Sequence, residues 1–198
     1  GTGLSSHEIN QPGCYKDVKD TSAVAQFKVI ESSNTPFEVD GALYLLAWTT
    51  TPWTLPSNTA LTVGEKIEYV CVTTFNQYTF KKINVVLAKN LVGYQFSKGF
   101  VEVENSNDLE AYQEGDKKIP YLVGESCVGK ELVGLCYEQL LDYCLPAENH
   151  ENAFQVIAGD FVTTEDGTGI VHTAPTFGAD DAKVAKDAGV PPMLVRDD

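Results

Sequence analysis

Eleven residues, Trp48 to Asn58, constrain this chain more than any others. They read Trp-Thr-Thr-Thr-Pro-Trp-Thr-Leu-Pro-Ser-Asn and lie between two apolar runs, Ala42 to Ala47 and Ala60 to Val63, which have the composition of buried strands. A polar loop is ordinarily a surface feature, but this one is expected to be held at both ends in a core. Thr49, Thr50 and Thr51 offer hydroxyls that each donate once and accept twice, on β-branched side chains with few rotamers to lose. Pro52 and Pro56 remove two backbone donors and push the residues before them to extended conformations. The product is a rigid row of hydroxyls. Such a row can position a water and a small polar substrate, and a threonine-rich strand end with proline turns would have the same composition.

A second stretch, Gly167-Thr-Gly-Ile-Val-His172-Thr-Ala-Pro-Thr-Phe-Gly-Ala-Asp-Asp181, carries the other candidate residues. A Gly-x-Gly turn alone is weak support for phosphate binding, and no Gly-x-x-x-x-Gly-Lys-Ser/Thr occurs, so nucleoside triphosphate chemistry is not indicated. His172 falls at a strand end, where a lone histidine is more often structural than catalytic. Asp181 falls near a helix start, where the helix dipole stabilises a carboxylate by roughly 0.3–1 kcal/mol. Asp180 and Asp181 are adjacent and would diverge around that helix, which rules them out as an acid/base dyad. There is no Gly-x-Ser-x-Gly elbow, and no cysteine sits in a nucleophile motif.

Hydrophobic periodicity supplies the remaining elements. Ala25 to Glu31, Gly41 to Thr49, Asn58 to Val63 and Tyr69 to Thr74 read as strands. Gln77 to Lys81 and Asn84 to Ala88 are expected to form a hairpin around Lys82, followed by a short helix within Lys89 to Lys98 that Gly99 closes. Phe100 to Glu104 reads as a strand, and Asn105 to Lys118 as an acidic excursion with a helical turn around Leu109 to Tyr112. Tyr121 to Tyr137, punctuated by Gly124, Gly129 and Gly134, reads as irregular strand and loop, since glycines inside strands often mark bulges. Phe154 to Ala158 and Gly169 to Thr173 are the last strands, and Ala179 to Ala188 is a helix with Asp180 and Asp181 in its first turn and Gly189 at its end. About eight or nine short strands with few helices imply an α+β fold with a β-barrel-like core and peripheral short helices.

Trp48 to Asn58 resembles the threonine-rich signature of the editing domain of isoleucyl-tRNA synthetases, the insertion called connective polypeptide 1, and Gly167 to Asp181 resembles the same family's other editing signature. Valyl and leucyl editing domains are similar, but their threonine stretch typically runs Thr-Thr-Arg-Pro-Glu-Thr; Trp53 and Pro56 point to the isoleucyl branch. The resemblance implies a barrel-like editing fold and gives the residues roles by position. Asp181 would hold the α-ammonium of the misattached amino acid. His172 would limit the side-chain pocket, admitting valine and obstructing isoleucine. Thr49, Thr50 and Thr51 would line the pocket and contact the terminal adenosine and the scissile ester, with Thr50, Thr51 and Asp181 as the catalytic set and Asn58 a polar residue closing the motif. Phe177 and the 105–118 region depart from the bacterial pattern, so no role is carried there, and the acidic insert points to a eukaryotic lineage.

The implied function is hydrolysis of mischarged valyl-tRNA(Ile), with valyl-adenylate left open as a second substrate, in a single domain spanning 1–198 and excised from a cytoplasmic synthetase. A valyl or leucyl editing domain, or a silent β-barrel binding module, are the alternatives. The His-Ile-Gly-His and Lys-Met-Ser-Lys-Ser type signatures of ATP-dependent synthesis do not occur. A net charge of −14 is the wrong sign for gripping a polyphosphate backbone; the partners that the resemblance implies are the aminoacylated 3′ end of the tRNA and the remainder of the synthetase, which would hold the tRNA body. Five cysteines form no Cys-x-x-Cys pair and the three histidines, His7, His150 and His172, are dispersed, so neither disulfides, a metal nor another cofactor is expected. No apolar run approaches the roughly 18 residues of a membrane span. Residues 1–22 read as a polar arm, and the isolated domain is expected to be monomeric.

Overall fold

The computed structural model describes residues 21–31 and 33–195. Most of the expected polar arm, with His7 and Cys14, lies outside the described residues. Nine strands occur among those described: β1 (Ala23–Lys28), β2 (Leu43–Thr49), β3 (Ala60–Val63), β4 (Glu68–Phe75), β5 (Lys82–Ala88), β6 (Phe100–Glu102), β7 (Ile119–Val128), β8 (Gln155–Ala158) and β9 (Ile170–Thr173). They run in the order β6-β7-β4-β5-β2-β9-β3-β8, with β1 added on β2.

β2 organises this sheet. Its sequence, Leu-Tyr-Leu-Leu-Ala-Trp-Thr, is apolar on both faces because both are covered. Leu43, Leu45 and Ala47 enter one core cluster with Phe27, Leu61, Val63 and Tyr137, while Leu46 enters a second with Val70, Val72, Val85 and Leu87. β1 pairs antiparallel along the whole of β2. The opposite edge of β2 is shared: β5 takes Leu43 to Leu45 and β9 takes Trp48, both in parallel. The edge that β5 releases is thus the one on which β9 brings the second signature alongside the first.

The chain closes a ring between β1 and β8 without a full strand. Val29 bridges Tyr137 and Cys136 bridges Gln155, with Tyr137 N–H donating to Phe154 O and Val156 N–H to Leu135 O, each 2.9 Å. Together with β2, β9 and β3 this forms the barrel-like core expected from the sequence, filled by the first cluster. The helix Ala179–Asp187 lies outside it, packing Val184 and Ala185 with Val190 against Ala60 of β3 and Ile157 of β8.

Two local expectations are corrected. Gln77 to Lys81 is no strand: the hairpin joins β4 to β5, and Asn76 organises its turn by accepting from the backbone N–H of Tyr78 and Thr79. Tyr121 to Tyr137 is more regular than its glycines suggest, because ten-residue β7 runs through Gly124 and a helical turn, Gly129–Leu132, follows. Gly124 sits where the β4–β7 register shifts, and Gly129 packs so near Gly64 that an added Cβ would meet its carbonyl oxygen. Those two glycines serve a bulge and a close approach rather than a loop.

Candidate active site at the barrel rim

The threonine loop is ordered by its prolines. Pro52 opens a 3₁₀ helix, Pro52–Ser57, whose tight turns are closed by Thr54 N–H donating to Thr51 O at 3.0 Å and Asn58 N–H donating to Leu55 O at 3.1 Å. Pro56 can sit within this short helix because the backbone donors that close it are Thr54 and Asn58, so the N–H that proline lacks is not needed. Thr49, at the end of β2, is buried and its Oγ1 accepts from Thr51 N–H at 3.0 Å. The hydroxyls of Thr49, Thr51 and Thr54 then follow one another at 3.3 Å spacings. Thr50 is exposed, and its hydroxyl has no partner among the described residues.

β9 brings the second stretch against this row. It is antiparallel to β3, with His172 opposite Leu61 and Thr173 opposite Ala60. Gly167 has φ +74°, and an added Cβ there would lie 2.8 Å from the Trp48 ring, so the glycine lets the turn before β9 lie flat on the tryptophan that opens the threonine stretch. His172 is 6% exposed. Its Nε2 is 2.9 Å from Thr54 Oγ1, and its Nδ1 is 2.9 Å from Asn58 Nδ2.

The hydrogens in this network follow from chemistry. Tyr137 OH donates to Asn58 Oδ1 at 2.7 Å, which fixes the amide with its NH2 toward Ala60 O at 2.8 Å and His172 Nδ1. An amide NH2 can only donate, so Nδ1 accepts and the imidazole proton is on Nε2. Thr54 Oγ1 accepts that proton's hydrogen bond and donates its own to Thr51 O at 2.8 Å. Both ring nitrogens are therefore committed, and burial pushes the imidazole pKa down to about 4. His172 is a neutral, rigid surface here and has no free nitrogen with which to take a proton from water.

Asp181 stands in the first turn of the Ala179–Asp187 helix, with Oδ2 accepting from Ala174 N–H at 2.8 Å, two residues beyond His172. Gly178 leaves the space: an added Cβ would be 3.2 Å from the carboxylate carbon. Burial raises the carboxyl pKa, the Ala174 hydrogen bond opposes that, and the charge of Asp180 adds to the rise. Asp180 itself is exposed and lines a separate groove of about 740 Å³ with Lys183, Asp187 and Phe161, where none of the candidate residues lies. The two aspartates diverge as expected. Two exposed aromatics flank the polar cluster in sequence: Trp53, 64% exposed, beside Thr54, and Phe177, 56% exposed, between Ala174 and Asp181.

Thr49, Thr51, Asn58 and His172 are thus joined in one network through Thr54, Asp181 is tied to the same strand end through Ala174, and Thr50 stays exposed beside them, its hydroxyl without a partner among the described residues. Sequence reasoning missed Thr54 and Tyr137. Thr54 had a local signal, its place three residues after Thr51 in a proline-led turn. Tyr137 had none, being 79 residues from Asn58.

No protein-family model matches the chain. Curated relatives do: the isoleucine–tRNA ligase of Cytophaga hutchinsonii is 62% identical over 198 residues, and that of Bacteroides fragilis 58% over 193, covering 100% and 98% of this chain. The chain spans only 17% and 16% of their lengths. Among solved structures, the editing domain of the P. falciparum cytosolic leucyl-tRNA synthetase aligns with a TM-score of 0.59 at 13% identity, over 84% of this chain and 65% of that one. A further structure, GlLeuRS-CP1, aligns with a TM-score of 0.54 at 16% identity, over 85% of this chain and 65% of that one. The fold is that of a class I synthetase editing domain. Within the editing-domain fold the two signature stretches are neighbours through β2, β9 and β3, which is why residues more than a hundred positions apart meet at one rim. The relatives named are bacterial, so the eukaryotic lineage read from the acidic insert is not supported. That insert holds the exposed turn Ser106–Glu110 with only Leu109 buried, and a surface segment of this kind is free to change its charge without changing the fold.

Proposed function

We propose that this chain is the editing domain of an isoleucine–tRNA ligase and hydrolyses valine misattached to the isoleucine tRNA. The single observation that carries this reading is the juxtaposition at one rim of a row of threonine hydroxyls, a saturated neutral histidine and a half-buried carboxylate. Hydrolysing an aminoacyl ester needs a positioned water, donors for the developing oxyanion and an anchor for the α-ammonium. Asp181 is the anchor, held in place by Ala174 N–H and with Oδ1 left for the ammonium. Thr50 and Thr51 face the ester, and the free hydroxyl of Thr50 supplies a donor. His172 forms a wall of the amino-acid pocket and takes no proton in the reaction, and the ribose hydroxyl vicinal to the ester is one group available to assist the water.

The need for such a site is energetic. One methylene is worth only about 1–3 kcal/mol in an apolar pocket, a limit for which valine against isoleucine is the standard example, so a second site must exclude the larger, correct amino acid by size. The partners in this reading are the 3′ end of the aminoacylated tRNA and the remainder of the ligase, acting in the cytoplasm. No helix among the described residues is long and apolar enough to cross a membrane. The test is hydrolysis of valyl and isoleucyl esters of the isoleucine tRNA by the 198-residue chain. Selective release of valine supports the reading, and equal release of both contradicts it. Release of neither, together with no binding of a non-hydrolysable valyl-adenosine analogue, favours a silent module.

A further inference from the structure

Tyr137 takes no part in either signature, yet its side chain is held on several sides. It is 1% exposed, and its ring stands edge-on to Phe27 at 5.2 Å and to Phe154 at 6.3 Å between centroids. Its backbone lies in the segment that closes the ring, with Tyr137 N–H donating to Phe154 O and the following Glu138 N–H donating to Lys28 O at 2.8 Å. From that clamp the phenol donates to Asn58 Oδ1, its one hydrogen-bond partner among the described residues.

Asn58 has two ways to place its amide. With oxygen and nitrogen exchanged, Oδ1 would face the carbonyl oxygen of Ala60, and Nδ2 would meet a phenol whose own hydrogen would then have no acceptor. The phenol at Oδ1 and the carbonyls of Ala60 and Thr173 at Nδ2 therefore select the same orientation, the orientation puts a donor on His172 Nδ1, and that donor puts the imidazole proton on Nε2 toward Thr54.

We infer that Tyr137 is a positioning residue for the site: its hydrogen bond to Asn58 Oδ1, added to the hold of the Ala60 carbonyl on Nδ2, keeps the amide turned so that His172 stays in the Nε2–H tautomer and in one ring orientation. This rests on the proposed editing function only for its consequence in hydrolysis. The lock itself belongs to the chain without substrate. A wall set by a chain of donors, rather than by packing alone, keeps the ring plane from rotating when a substrate pushes on it. The segment that closes the barrel is in this way also the one that sets the pocket.

The experiment is a long-range proton–nitrogen NMR spectrum of the His172 imidazole, recorded at pH 7 on the 198-residue chain and on its Tyr137→Phe variant, which keeps the ring between Phe27 and Phe154. The wild-type chain should give the Nε2–H pattern alone, and the variant a mixture of tautomers. An Nδ1–H pattern in the wild-type chain, or a pure Nε2–H pattern in the variant, would overturn the lock. Should Tyr137→Phe fail to fold, Asn58→Asp keeps an acceptor for the phenol and removes the donor to Nδ1; a proton must then appear on Nδ1, and its absence overturns the inference. Ester assays read the consequence separately. In Tyr137→Phe the preference for valyl over isoleucyl ester should fall roughly tenfold, the scale of one buried polar group left unpaired. A changed tautomer with unchanged preference would remove Tyr137 from the function, whereas the expected tautomers in a chain that neither hydrolyses the esters nor binds a non-hydrolysable valyl-adenosine analogue would defeat the editing reading and leave the lock standing.

Discussion

Thr54 Oγ1 and His172 Nε2 lie 2.9 Å apart, across 118 residues of sequence. This one hydrogen bond joins the threonine loop to the strand that carries the histidine, and it exists because β9 pairs with β2 at Trp48 and with β3 at Ala60 and Leu61. Thr54, Asn58 and His172 are buried, and their polar side-chain atoms all have partners among the described residues, the condition under which a buried network orders a site instead of weakening it.

The two kinds of threonine should separate in mutation. Thr54→Val leaves the His172 Nε2–H without an acceptor and is expected to cost about 1–3 kcal/mol of stability. Thr50→Val removes an exposed, unpartnered hydroxyl and should change stability by no more than about 0.5 kcal/mol while lowering ester hydrolysis. Urea unfolding and a deacylation assay on both variants check this, and a Thr50 variant with full activity would remove that hydroxyl from the mechanism.

His172→Ala should let the pocket accept isoleucine. Opening the wall removes the size limit, and since one methylene is worth about 1–3 kcal/mol, the preference against isoleucyl ester should fall by roughly 10- to 200-fold. The measurement is the ratio of kcat/KM values for the two esters. An unchanged ratio would place the size limit on another side chain.

The buried imidazole makes stability depend on pH with a definite sign. Its pKa is about 4 in the folded chain against 6.5 in its ordinary state, so between these values the unfolded chain binds the extra proton. Its contribution is complete above about pH 6.5 and is lost as pH falls toward 4, amounting to about 3 kcal/mol in all. Asp181 acts in the opposite sense, because its carboxyl is raised by burial and the folded chain holds that proton longer. Urea midpoints at pH 7 and pH 4.5 should therefore differ less in His172→Gln than in the parent; equal differences would mean that the histidine is not the titrating group.

Much of this was legible in the sequence, and the reasons divide by range. The ends of β2, β3, β9 and the Ala179–Asp187 helix follow from apolar periodicity and from glycine and aspartate at helix ends, all local signals. The threonine row was legible for the same reason, since proline dictates its own neighbours. The hairpin was misplaced because Gln77 to Lys81 carries strand-like residues in a turn that Asn76 dictates. The bonds that join these residues were not legible: Thr54 and Asn58 meet His172 only through strand pairing, and Tyr137 reaches Asn58 through ring closure by two isolated bridges, which no periodicity encodes.

The acidic surface predicts weak affinity for tRNA by itself. With 28 acidic residues against 14 basic ones, the chain has little with which to neutralise phosphates. Deacylated isoleucine tRNA should bind the isolated chain only weakly at physiological salt, and titration by fluorescence anisotropy measures it. Tight, strongly salt-dependent binding would require a basic patch that the composition does not provide.

The most direct test of the site is hydrolysis of valyl-tRNA, on the isoleucine acceptor, by the 198-residue chain and by its Asp181→Ala variant. The account predicts release of valine by the parent chain and none above the uncatalysed rate by the variant, with the variant still folded, since only the acceptor for Ala174 N–H is lost. Undiminished hydrolysis by Asp181→Ala would contradict the assignment of the ammonium anchor, and with it the claim that this rim is where the ester is cut.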